Sequence, residues 1–581
     1  MPFESHLQPL ELPEQDISSF LFNRKDRPFP EDRVIFQDAD SNSSFTFGEL
    51  RALSAEFAKG LQSLYDFRKG DVLGLFSPNS IDTPAITLGA LWAGVIVSPA
   101  NPGYTVNELA YQLKDSGAKA IVTQLTTIDT VRKACAKVGL PEDRILLLGE
   151  ARDQTGRFKH WSSVRNISGT SRYNKANISP KKDLAFLVYS SGTTGTPKGV
   201  ELTHYNLTSN ILQLNAGEYG NLTWDGSGTS GDIPLPRKGS GGDKILACLP
   251  FFHIYGLTTS ILLPMYSGVK IIVLPKFEIE KFCRLIQDHG ITYIYVVPPM
   301  CLLLSKHPCV ERYDLSSIRM TNSGAAPLTR ELVEAVFRRT GIKVKQAYGL
   351  SEASPTCISQ PWADWATSIG SIGKLFPNMQ AKFCAMPGSG EEHDSSSKAT
   401  EVAQGRTGEL YLKGPNIFRG YHNKPEETKG CLDDEGWFRT GDVGHIDEHG
   451  DIYITDRVKE LIKYKGFQVA PAELEGHLVD HDLIDDVAVV GVESQELGTE
   501  VPRAYVVRKG GKKAVEEGDG ERIVQWLNGR VANHKKLRGG VRFVDAVPKS
   551  ASGKILRRIL KEEARKEYAE LEKEGRLRAK L

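Results

Sequence analysis

The stretch Tyr189-Ser190-Ser191-Gly192-Thr193-Thr194-Gly195-Thr196-Pro197-Lys198-Gly199 predicts more about fold and function than any other part of the chain. The apolar run at 184–189 comes directly before it and is typical of a buried strand. Glycines let backbone N–H groups approach an anion closely, hydroxyls add donors, and Lys198 adds a positive charge. We therefore expect a loop that binds the phosphates of a nucleotide, with a flexible linker as the alternative.

The spacing in this loop differs from that of a Walker loop, which needs Gly-x4-Gly-Lys-Ser/Thr. Pro197 stands between the last Gly-Thr pair and Lys198, and Gly199 occupies the place of the Ser or Thr. Linkers rarely follow a buried strand, so we favour phosphate binding of another type.

Length and composition predict a multidomain globular protein. The chain has 581 residues, which is too long for one core. The chain has 73 Lys and Arg residues and 72 Asp and Glu residues, so its net charge is close to zero. This argues against bulk binding of nucleic acid or an anionic membrane. The eight cysteines include no Cys-x-x-Cys pair, so neither zinc nor a redox dithiol is indicated. A reduced intracellular compartment is the simple interpretation.

The ends of the chain bear on its location. The N-terminus has no signal peptide, and the most apolar segments, 245–265 and 291–304, do not suit a membrane span. Ala579-Lys580-Leu581 resembles the Ser-Lys-Leu peroxisomal address, although a charged helical tail can end this way by chance. We expect a peroxisomal import receptor as partner and a peroxisomal location, with the cytoplasm as the alternative.

Apolar runs alternate with amphipathic stretches over residues 45–350, which is typical of an α/β fold with parallel sheets. Segments 217–243 and 387–405 are rich in Gly, Ser, Pro and Asp, and are predicted to be surface loops. The expected strands are 72–76, 120–123, 269–274 and 293–297, and the expected helices 47–65 and 105–116.

A change of pattern after Gly408 predicts a small β-rich subdomain with a hairpin around 447–451. From Asp456 onward a compact α/β unit follows, ending in a charged helix from about 554 to 578. We expect residues 1–456 to form a large N-terminal α/β domain of several subdomains. Residues 457–581 are predicted to form a small, mobile C-terminal α+β domain.

Four further segments carry chemistry-bearing residues, and each alone could be a turn or a solvated charge cluster. They are 346–352 (Gln-Ala-Tyr-Gly-Leu-Ser-Glu), 436–442 (Gly-Trp-Phe-Arg-Thr-Gly-Asp), 456–468 (Asp-Arg-Val-Lys-Glu-Leu-Ile-Lys-Tyr-Lys-Gly-Phe-Gln) and 548–555 (Pro-Lys-Ser-Ala-Ser-Gly-Lys-Ile). Together with 250–256, 322–328 and 464–475, and in this order, the chain resembles the adenylate-forming superfamily. The resemblance is strongest to the 4-coumarate–CoA ligase and fungal acid–CoA ligase branch, and covers about residues 30–560.

The resemblance implies an AMP-forming acid–CoA ligase that uses ATP, Mg²⁺ and CoA on a small carboxylic acid. The acid attacks the α-phosphorus of ATP to give acyl-AMP and pyrophosphate, and the CoA thiol then displaces AMP. Both steps build negative charge on oxygen, so the site needs cations and donors. Glu352 is the implied Mg²⁺ ligand. The implied ATP and AMP contacts are Ser190, Ser191, Gly192, Thr193, Thr194, Gly195, Thr196, Pro197, Lys198, Ala325, Gln346, Ala347, Tyr348, Ser351, Asp442, Arg457 and Lys459.

Within that set, Tyr348 is implied to pack on adenine, and Asp442 with Arg457 to hold the ribose. Lys554 would neutralise the attacking carboxylate and the α-phosphate, and a solvated lysine that caps a helix is the alternative. Lys459 falls where the family hinges its C-terminal domain.

The remaining implied contacts concern the acid and CoA. After the hinge moves, Lys463 and Gln468 would contact acyl-AMP. Lys276, Lys465 and Gly466 would contact CoA, although Lys276 could equally be a surface lysine that starts a helix. His253 would act as a gate beside the acyl carboxylate rather than as a satisfied core histidine. The implied acid pocket comprises Ile254, Tyr255, Thr259 and Gly324, with Ala347, Pro355 and Thr356 as further candidates.

Two residues depart from the family pattern. Ser351 stands where the family usually has Thr, and it keeps the hydroxyl. Ala347 replaces a glycine found in many ligases, so its methyl should narrow the acid pocket. The small and apolar pocket candidates suit an uncharged tail, and do not separate a fatty acid from an aryl acid.

Three other functions compete with the acid–CoA ligase. They are a stand-alone adenylation enzyme that loads a carrier protein, a luciferase-like oxygenase, and a nucleotide-binding scaffold without activity. The scaffold predicts loss of Lys198, Glu352, Asp442, Arg457 or Lys554, and all five are present.

Overall fold

The structure, a computed structural model, describes residues 2–165, 175–190, 197–227, 236, 241–386, 400–465, 467–494, 497–550 and 553–573, with side chains up to residue 567. The predicted contacts Ser191, Gly192, Thr193, Thr194, Gly195, Thr196 and Gly466, and the tripeptide Ala579, Lys580 and Leu581, lie outside the described residues, as does most of the predicted loop 387–405.

The described strands, in chain order, are β1 Phe3–Glu4, β2 Val34–Asp38, β3 Ser44–Thr46, β4 Val72–Phe76, β5 Ile96–Ala100, β6 Ala118–Thr123, β7 Ile145–Leu147, β8 Lys159–His160, β9 Leu184–Ser190, β10 Lys198–Thr203, β11 Lys244–Ala247, β12 Lys270–Val273, β13 Tyr293–Val296, β14 Met320–Ser323, β15 Val344–Gly349, β16 Thr356–Ser359, β17 Lys374–Leu375, β18 Gln380–Cys384, β19 Gly408–Lys413, β20 Gly420–Tyr421, β21 Phe438–Ile446, β22 Ile452–Arg457, β23 Ile462–Tyr464, β24 Phe467–Val469, β25 Ile484–Ser494, β26 Thr499–Arg508 and β27 Val541–Phe543.

The described α-helices are α1 Ile17–Phe22, α2 Phe47–Leu64, α3 Thr83–Trp92, α4 Val106–Ser116, α5 Ile128–Val138, α6 Trp161–Arg165, α7 His204–Gly217, α8 Ile254–Leu257, α9 Leu263–Ser267, α10 Ile279–His289, α11 Pro298–Lys306, α12 Arg330–Thr340, α13 Pro425–Lys429, α14 Pro471–Leu478, α15 Asp519–Asn528 and α16 Arg557–Lys573. A π-helical turn at Thr258–Leu262 joins α8 to α9.

Two large sheets and a smaller antiparallel one contain most of the described strands. The strand orders are β20-β10-β9-β5-β4-β6-β7-β8, β17-β16-β15-β14-β13-β11-β12-β2-β3 and β1-β18-β19-β21-β22. Strands β13, β14 and β15 are parallel, so their carboxyl ends share one edge. The predicted α/β class is confirmed, and the hairpin at 447–451 joins β21 to β22.

A second core lies in the C-terminal part, where β25 and β26 form a long antiparallel pair and β27 runs parallel to β26. Its buried side chains come from residues between Ile462 and Leu537. Strand β22 ends at Arg457 and pairs with β21, so this strand continues the β-rich sheet. The boundary between 456 and 457 stays a prediction.

The phosphate-binding stretch connects two antiparallel strands, because β9 pairs with β10. Strand β10 leads directly into α7, where Thr203 and Asn206 form a capping box: the Asn206 N–H donates to the Thr203 hydroxyl at 3.1 Å and the Thr203 N–H to Asn206 Oδ1 at 2.9 Å. Strand β10 is thus held along β9 by backbone pairing and at its C-terminal end by the capping box.

The predicted surface loop at 217–243 is wrong at both ends. Glu218 and Asp243 are buried and form ion pairs with Lys345, at 3.1 Å, and Arg319, at 2.8 Å. Buried charges are tolerated when they are paired, so a polar sequence here anchors the segment in the core rather than placing it in solvent.

Candidate active site

A cleft of about 910 Å³ opens at the carboxyl ends of β14 and β15. Such edges of α/β sheets are where ligands commonly bind. The end of β9, the start of β10 and the start of α8 line it from one part of the chain. Residues 438–441 and 457–459 line it from another, together with Ser550, Lys554 and Leu556, so the C-terminal part of the chain contributes to the same cleft.

Most of the predicted site residues that the structure describes come together in this cleft. Those that line it are Ser190, Lys198, His253, Ile254, Tyr255, Gly324, Ala325, Ala347, Tyr348, Ser351, Glu352, Pro355, Thr356, Arg457, Lys459 and Lys554. Asp442 lies immediately behind the lining, where it contacts Tyr348 and Arg457. Residues far apart in sequence therefore converge on one space, as the resemblance implies.

At one end of the cleft, Lys198 lies beside two acidic side chains and a tyrosine. Lys198 forms an ion pair with Glu427, and its ammonium lies 4.9 Å from the centre of the Tyr421 ring. The Tyr421 hydroxyl donates to Glu352 Oε1 at 2.8 Å. Burial, and next the charge of Glu352, raise the pKa of the Tyr421 phenol, so it stays a neutral donor. A cation and a carboxylate thus face the same space beside the loop between β9 and β10.

The nucleoside part of the predicted site is a chain of three side chains in contact, of which Asp442 is buried. Arg457 Nε lies 2.9 Å from Asp442 Oδ1, and the Tyr348 hydroxyl donates to Asp442 Oδ2. Burial, and next the Asp442 charge, raise the pKa of Tyr348 well above its usual value. The Asp442 carboxylate is only 3% exposed, so a ribose hydroxyl would meet it alongside these two partners.

Gln346 does not line the cleft, in contrast to its neighbour Ala347. Successive strand residues point to opposite faces, and the Gln346 Oε1 atom accepts the N–H of Leu328 at 3.1 Å. Gln346 therefore supports the segment after β14. In that segment Ala325 has a φ of 72°, a left-handed backbone that turns it towards the cleft.

Lys554 reaches the cleft from the segment just before α16. Burial and next the positive charge of Arg457 lower its pKa to about 8, while Glu460 and Asp442 act in the opposite sense. Lys554 is therefore mainly protonated at neutral pH and close to losing its proton. A poorly solvated ammonium gains most from an incoming anion, which suits a lysine that meets phosphate or carboxylate oxygens.

An ion-paired cluster ties Lys554 to the predicted hinge. Arg557 lies one turn beyond Lys554 and contacts Glu460 and Glu475, each at 2.6 Å. Glu460 directly follows Lys459, which is exposed at the rim of the cleft. The residue after the hinge position is thus fastened to the segment that carries Lys554.

His253 is a neutral histidine at the start of α8. Its Nδ1 accepts the N–H of Tyr255 at 3.3 Å, so the ring proton belongs on Nε2. Burial lowers its pKa to about 4. At neutral pH it can donate a hydrogen bond to a carboxylate in the cleft, but it carries no charge of its own.

At the predicted acid end, the ring of Tyr255 forms part of the wall of the cleft. Its hydroxyl donates to the carbonyl of Asn322 at 3.2 Å, and its ring meets that of Tyr295 edge to face at 5.8 Å. A Cβ added to Gly324 would lie 3.2 Å from three atoms of Tyr255. Thr259 does not line the cleft: it is fully buried, and its hydroxyl donates to the Tyr255 carbonyl at 2.6 Å, one turn deeper.

Several predicted contacts lie outside the cleft. Lys463, Lys465 and Gln468 are exposed on the hairpin β23–β24, and Lys276 is exposed after β12. The Pro197 carbonyl accepts a hydrogen bond from the Tyr111 hydroxyl at 3.1 Å. With Lys554 at the cleft and the hairpin away from it, the structure corresponds to the arrangement predicted for the first half-reaction.

Two side chains that contact predicted site residues in the cleft were not identified from the sequence. Tyr421 and Glu427 line the cleft and contact Glu352 and Lys198, yet they belong to none of the quoted motifs. Strand β20 brings them there by pairing with β10, where Tyr421 lies opposite Val200. No local spacing in the sequence indicates a contact between such distant segments.

Comparison with known proteins gives consistent matches. Residues 22–422 match the family model described as AMP-binding enzyme, and 473–554 the model described as AMP-binding enzyme C-terminal domain. Probable 4-coumarate–CoA ligase 2 of Dictyostelium discoideum is 35% identical over 574 residues, covering 96% of this chain and 97% of that protein. 4-Coumarate–CoA ligase 1 of Petroselinum crispum is 37% identical over 534 residues, or 91% of each chain.

The same architecture occurs in solved structures. The ATP-bound MatB from Rhodopseudomonas palustris superimposes with a TM-score of 0.79 at 27% identity, over 94% of this chain and 98% of that one. Both the large and the small part of the present chain are included in that coverage.

Proposed function

Because this chain belongs to the AMP-binding enzymes, an adenylate-forming family, we propose that it activates a planar aryl carboxylic acid, as the names of its 4-coumarate–CoA ligase relatives suggest. The chain is an AMP-forming acid–CoA ligase, which makes an acyl-AMP and then an acyl-CoA thioester.

The position of Tyr255 in the wall of the cleft supports an aryl substrate. The ring is held by Asn322 and Tyr295 and lies against Gly324, and Ala347 and Pro355 also line the acid end. A flat ring can stack in such a slot. A long alkyl chain would have to displace Tyr255 from a hydrogen bond and from its ring contact, which favours aryl over long fatty acids.

In the first half-reaction, a carboxylate oxygen attacks the α-phosphorus of ATP, and the bond from that phosphorus to the β-phosphate oxygen breaks. The Lys554 ammonium balances the charge of the attacking carboxylate and of the α-phosphate oxygens. His253 Nε2 donates to the same carboxylate and orients it. Lys198 holds the β- and γ-phosphates, which leave together as pyrophosphate.

Mg²⁺ fits the carboxylate at the phosphate end of the cleft. The Oε1 atom of Glu352 accepts a hydrogen bond from the Tyr421 hydroxyl, and no described residue donates to its Oε2. The described residues contain no cluster of three acidic, His or Cys side chains, so a cation here would take its other ligands from phosphates, hydroxyls or water. Mg²⁺ is commonly held in this way, and when bound it would offset phosphate charge.

In the second half-reaction, the thiol sulfur of CoA bonds to the acyl carbon, the bond from that carbon to the AMP oxygen breaks, and the thiol proton is released. We assign Lys463 and Gln468 to the acyl-AMP, and Lys276, Lys465 and Gly466 to CoA. The hairpin that carries Lys463 is exposed, so a rotation at Lys459 must bring it to the cleft.

A substrate panel tests the proposed function. Purified protein with ATP, Mg²⁺ and CoA is given 4-coumaric, cinnamic, benzoic and phenylacetic acids beside octanoic and hexadecanoic acids, and AMP release and thioester formation are measured. We expect an aryl acid to give the highest kcat/KM. A preference for hexadecanoic acid would overturn the assignment of the acid, and acyl-AMP formation without thioester on free CoA would favour carrier loading instead.

A further inference from the structure

Glu427 binds the Lys198 ammonium, which is also the group that we expect to bind the phosphates of ATP. The two side chains form an ion pair and are only 38% and 18% exposed. A hydrogen bond from Lys198 and the lysine's charge keep the pKa of Glu427 below its usual range, so the carboxylate is ionised at neutral pH. Both residues line the cleft.

The position of Glu427 is fixed by backbone pairing rather than by chance contact. The His422 N–H donates to the Gly199 carbonyl at 2.8 Å, next to Lys198. The Tyr421 N–H donates to the Thr428 hydroxyl at 2.9 Å, which fastens the turn to α13 and so to Glu427. Glu427 therefore cannot move away from β10 without disturbing these bonds, and Lys198 is the more adaptable partner.

Tyr421 connects this ion pair to the proposed metal ligand. The Lys198 ammonium lies over its ring at 4.9 Å, and its hydroxyl holds Glu352 at 2.8 Å. Lys424 contacts Glu427 at 3.3 Å, so Glu427 keeps a cationic partner when Lys198 leaves. Lys198 can thus exchange Glu427 for a phosphate, and Glu427 stays paired with Lys424.

We propose that Glu427 competes with the polyphosphate for Lys198, and so weakens ATP and pyrophosphate binding while leaving AMP binding unchanged. This inference rests on the proposed role of Lys198. AMP has no β- or γ-phosphate, so the ion pair persists beside it. After the first half-reaction, Glu427 forms its ion pair with Lys198 again as pyrophosphate leaves, and this exchange makes or breaks no covalent bond.

The test measures binding of ATP, pyrophosphate and AMP by calorimetry in the absence of acid. Partly exposed ion pairs contribute little, so we expect Glu427→Gln to lower the Kd of ATP and of pyrophosphate about two- to five-fold, with the Kd of AMP unchanged. Glu426→Gln is the matched control, because Glu426 is exposed on the same helix and contacts Lys429 at 3.3 Å. Glu427→Asp keeps the charge and should restore the parent values.

The outcomes separate the inference from the proposed function. Weaker or unchanged ATP binding in a folded Glu427→Gln protein would overturn the competition. Equal effects on AMP and ATP would do the same, since they would indicate a general change in the cleft. If Lys198→Ala leaves ATP binding unchanged, the role proposed for Lys198 is wrong, whatever Glu427 does.

Discussion

Gly324→Ala probes whether Tyr255 sets the size of the acid pocket. The added Cβ would lie 3.2 Å from Cε1, Cζ and the hydroxyl oxygen of Tyr255. Carbon atoms pack best at about 3.5–4.0 Å, so the ring must retreat by a few tenths of an ångström. The Tyr295 ring at 5.8 Å and the hydrogen bond to Asn322 oppose that retreat.

The expected magnitude follows from these contacts. One added methyl in a substrate pocket changes the binding of the transition state by about 1–3 kcal/mol. Because Tyr255 can move only with its partners, we expect a loss of about 1–2 kcal/mol, or roughly a 5- to 30-fold fall in kcat/KM for the aryl acid. The KM for ATP should not change, since Gly324 meets the tyrosine and not the phosphate end.

The assay is the initial rate of AMP release at saturating ATP and CoA, over a series of aryl acids. Gly476→Ala is the control: it adds the same methyl, whose nearest neighbour would be Thr329 Cγ2 at 3.7 Å. The double variant Gly324→Ala/Tyr255→Phe lacks one of the three close atoms and the hydrogen bond to the Asn322 carbonyl. It should therefore regain part of the lost kcat/KM. An unchanged kcat/KM for every acid, or a raised KM for ATP instead, would refute the reasoning.

The remaining predictions concern Lys554, Glu352 and the C-terminal tripeptide. Since the pKa of Lys554 is lowered to about 8, its ammonium is lost as pH rises through that value, so pyrophosphate exchange should fall above about pH 8. Lys554→Ala should abolish exchange but leave thioester formation from supplied acyl-AMP, and equal failure of both would contradict its role. Glu352→Gln should raise the Mg²⁺ concentration needed for half-maximal exchange, with AMP binding in EDTA as the control. Deleting residues 579–581 from a tagged protein should move it from peroxisomes to the cytosol, and unchanged imaging would contradict the predicted address.

The sequence predicted those parts of the site that depend on local motifs. Lys198 and Glu352 stand in compact, characteristic stretches, and both reach the cleft. Gln346 stands in an equally characteristic stretch and Thr259 lies three residues beyond the quoted segment 250–256, yet neither lines the cleft. The difference is geometric, because strand alternation turns Gln346 away and Thr259 is buried one turn beyond Tyr255.

Contacts between distant segments could not be predicted from one sequence. The pairing of β20 with β10 brings Tyr421 to Glu352, and the burial of Glu218 against Lys345 turns a polar stretch into a core anchor. Both depend on which strands and loops become neighbours in space. The composition of a segment shows how polar it is, but it does not show whether a charged side chain will form an ion pair.

Arg457, Lys198 and Lys554 share one property: each already lies near a carboxylate of the chain. Arg457 pairs with Asp442 at 2.9 Å, Lys198 pairs with Glu427, and Lys554 is influenced by both Glu460 and Asp442. After the first half-reaction, a site of unpaired cations would bind pyrophosphate, the more highly charged anion, more tightly than the acyl-AMP. The Arg457 pair can remain beside a bound nucleoside, whereas the Lys198 pair must open for a polyphosphate. The chain's own carboxylates can therefore favour the departure of pyrophosphate while AMP and its acyl group stay for the thiol.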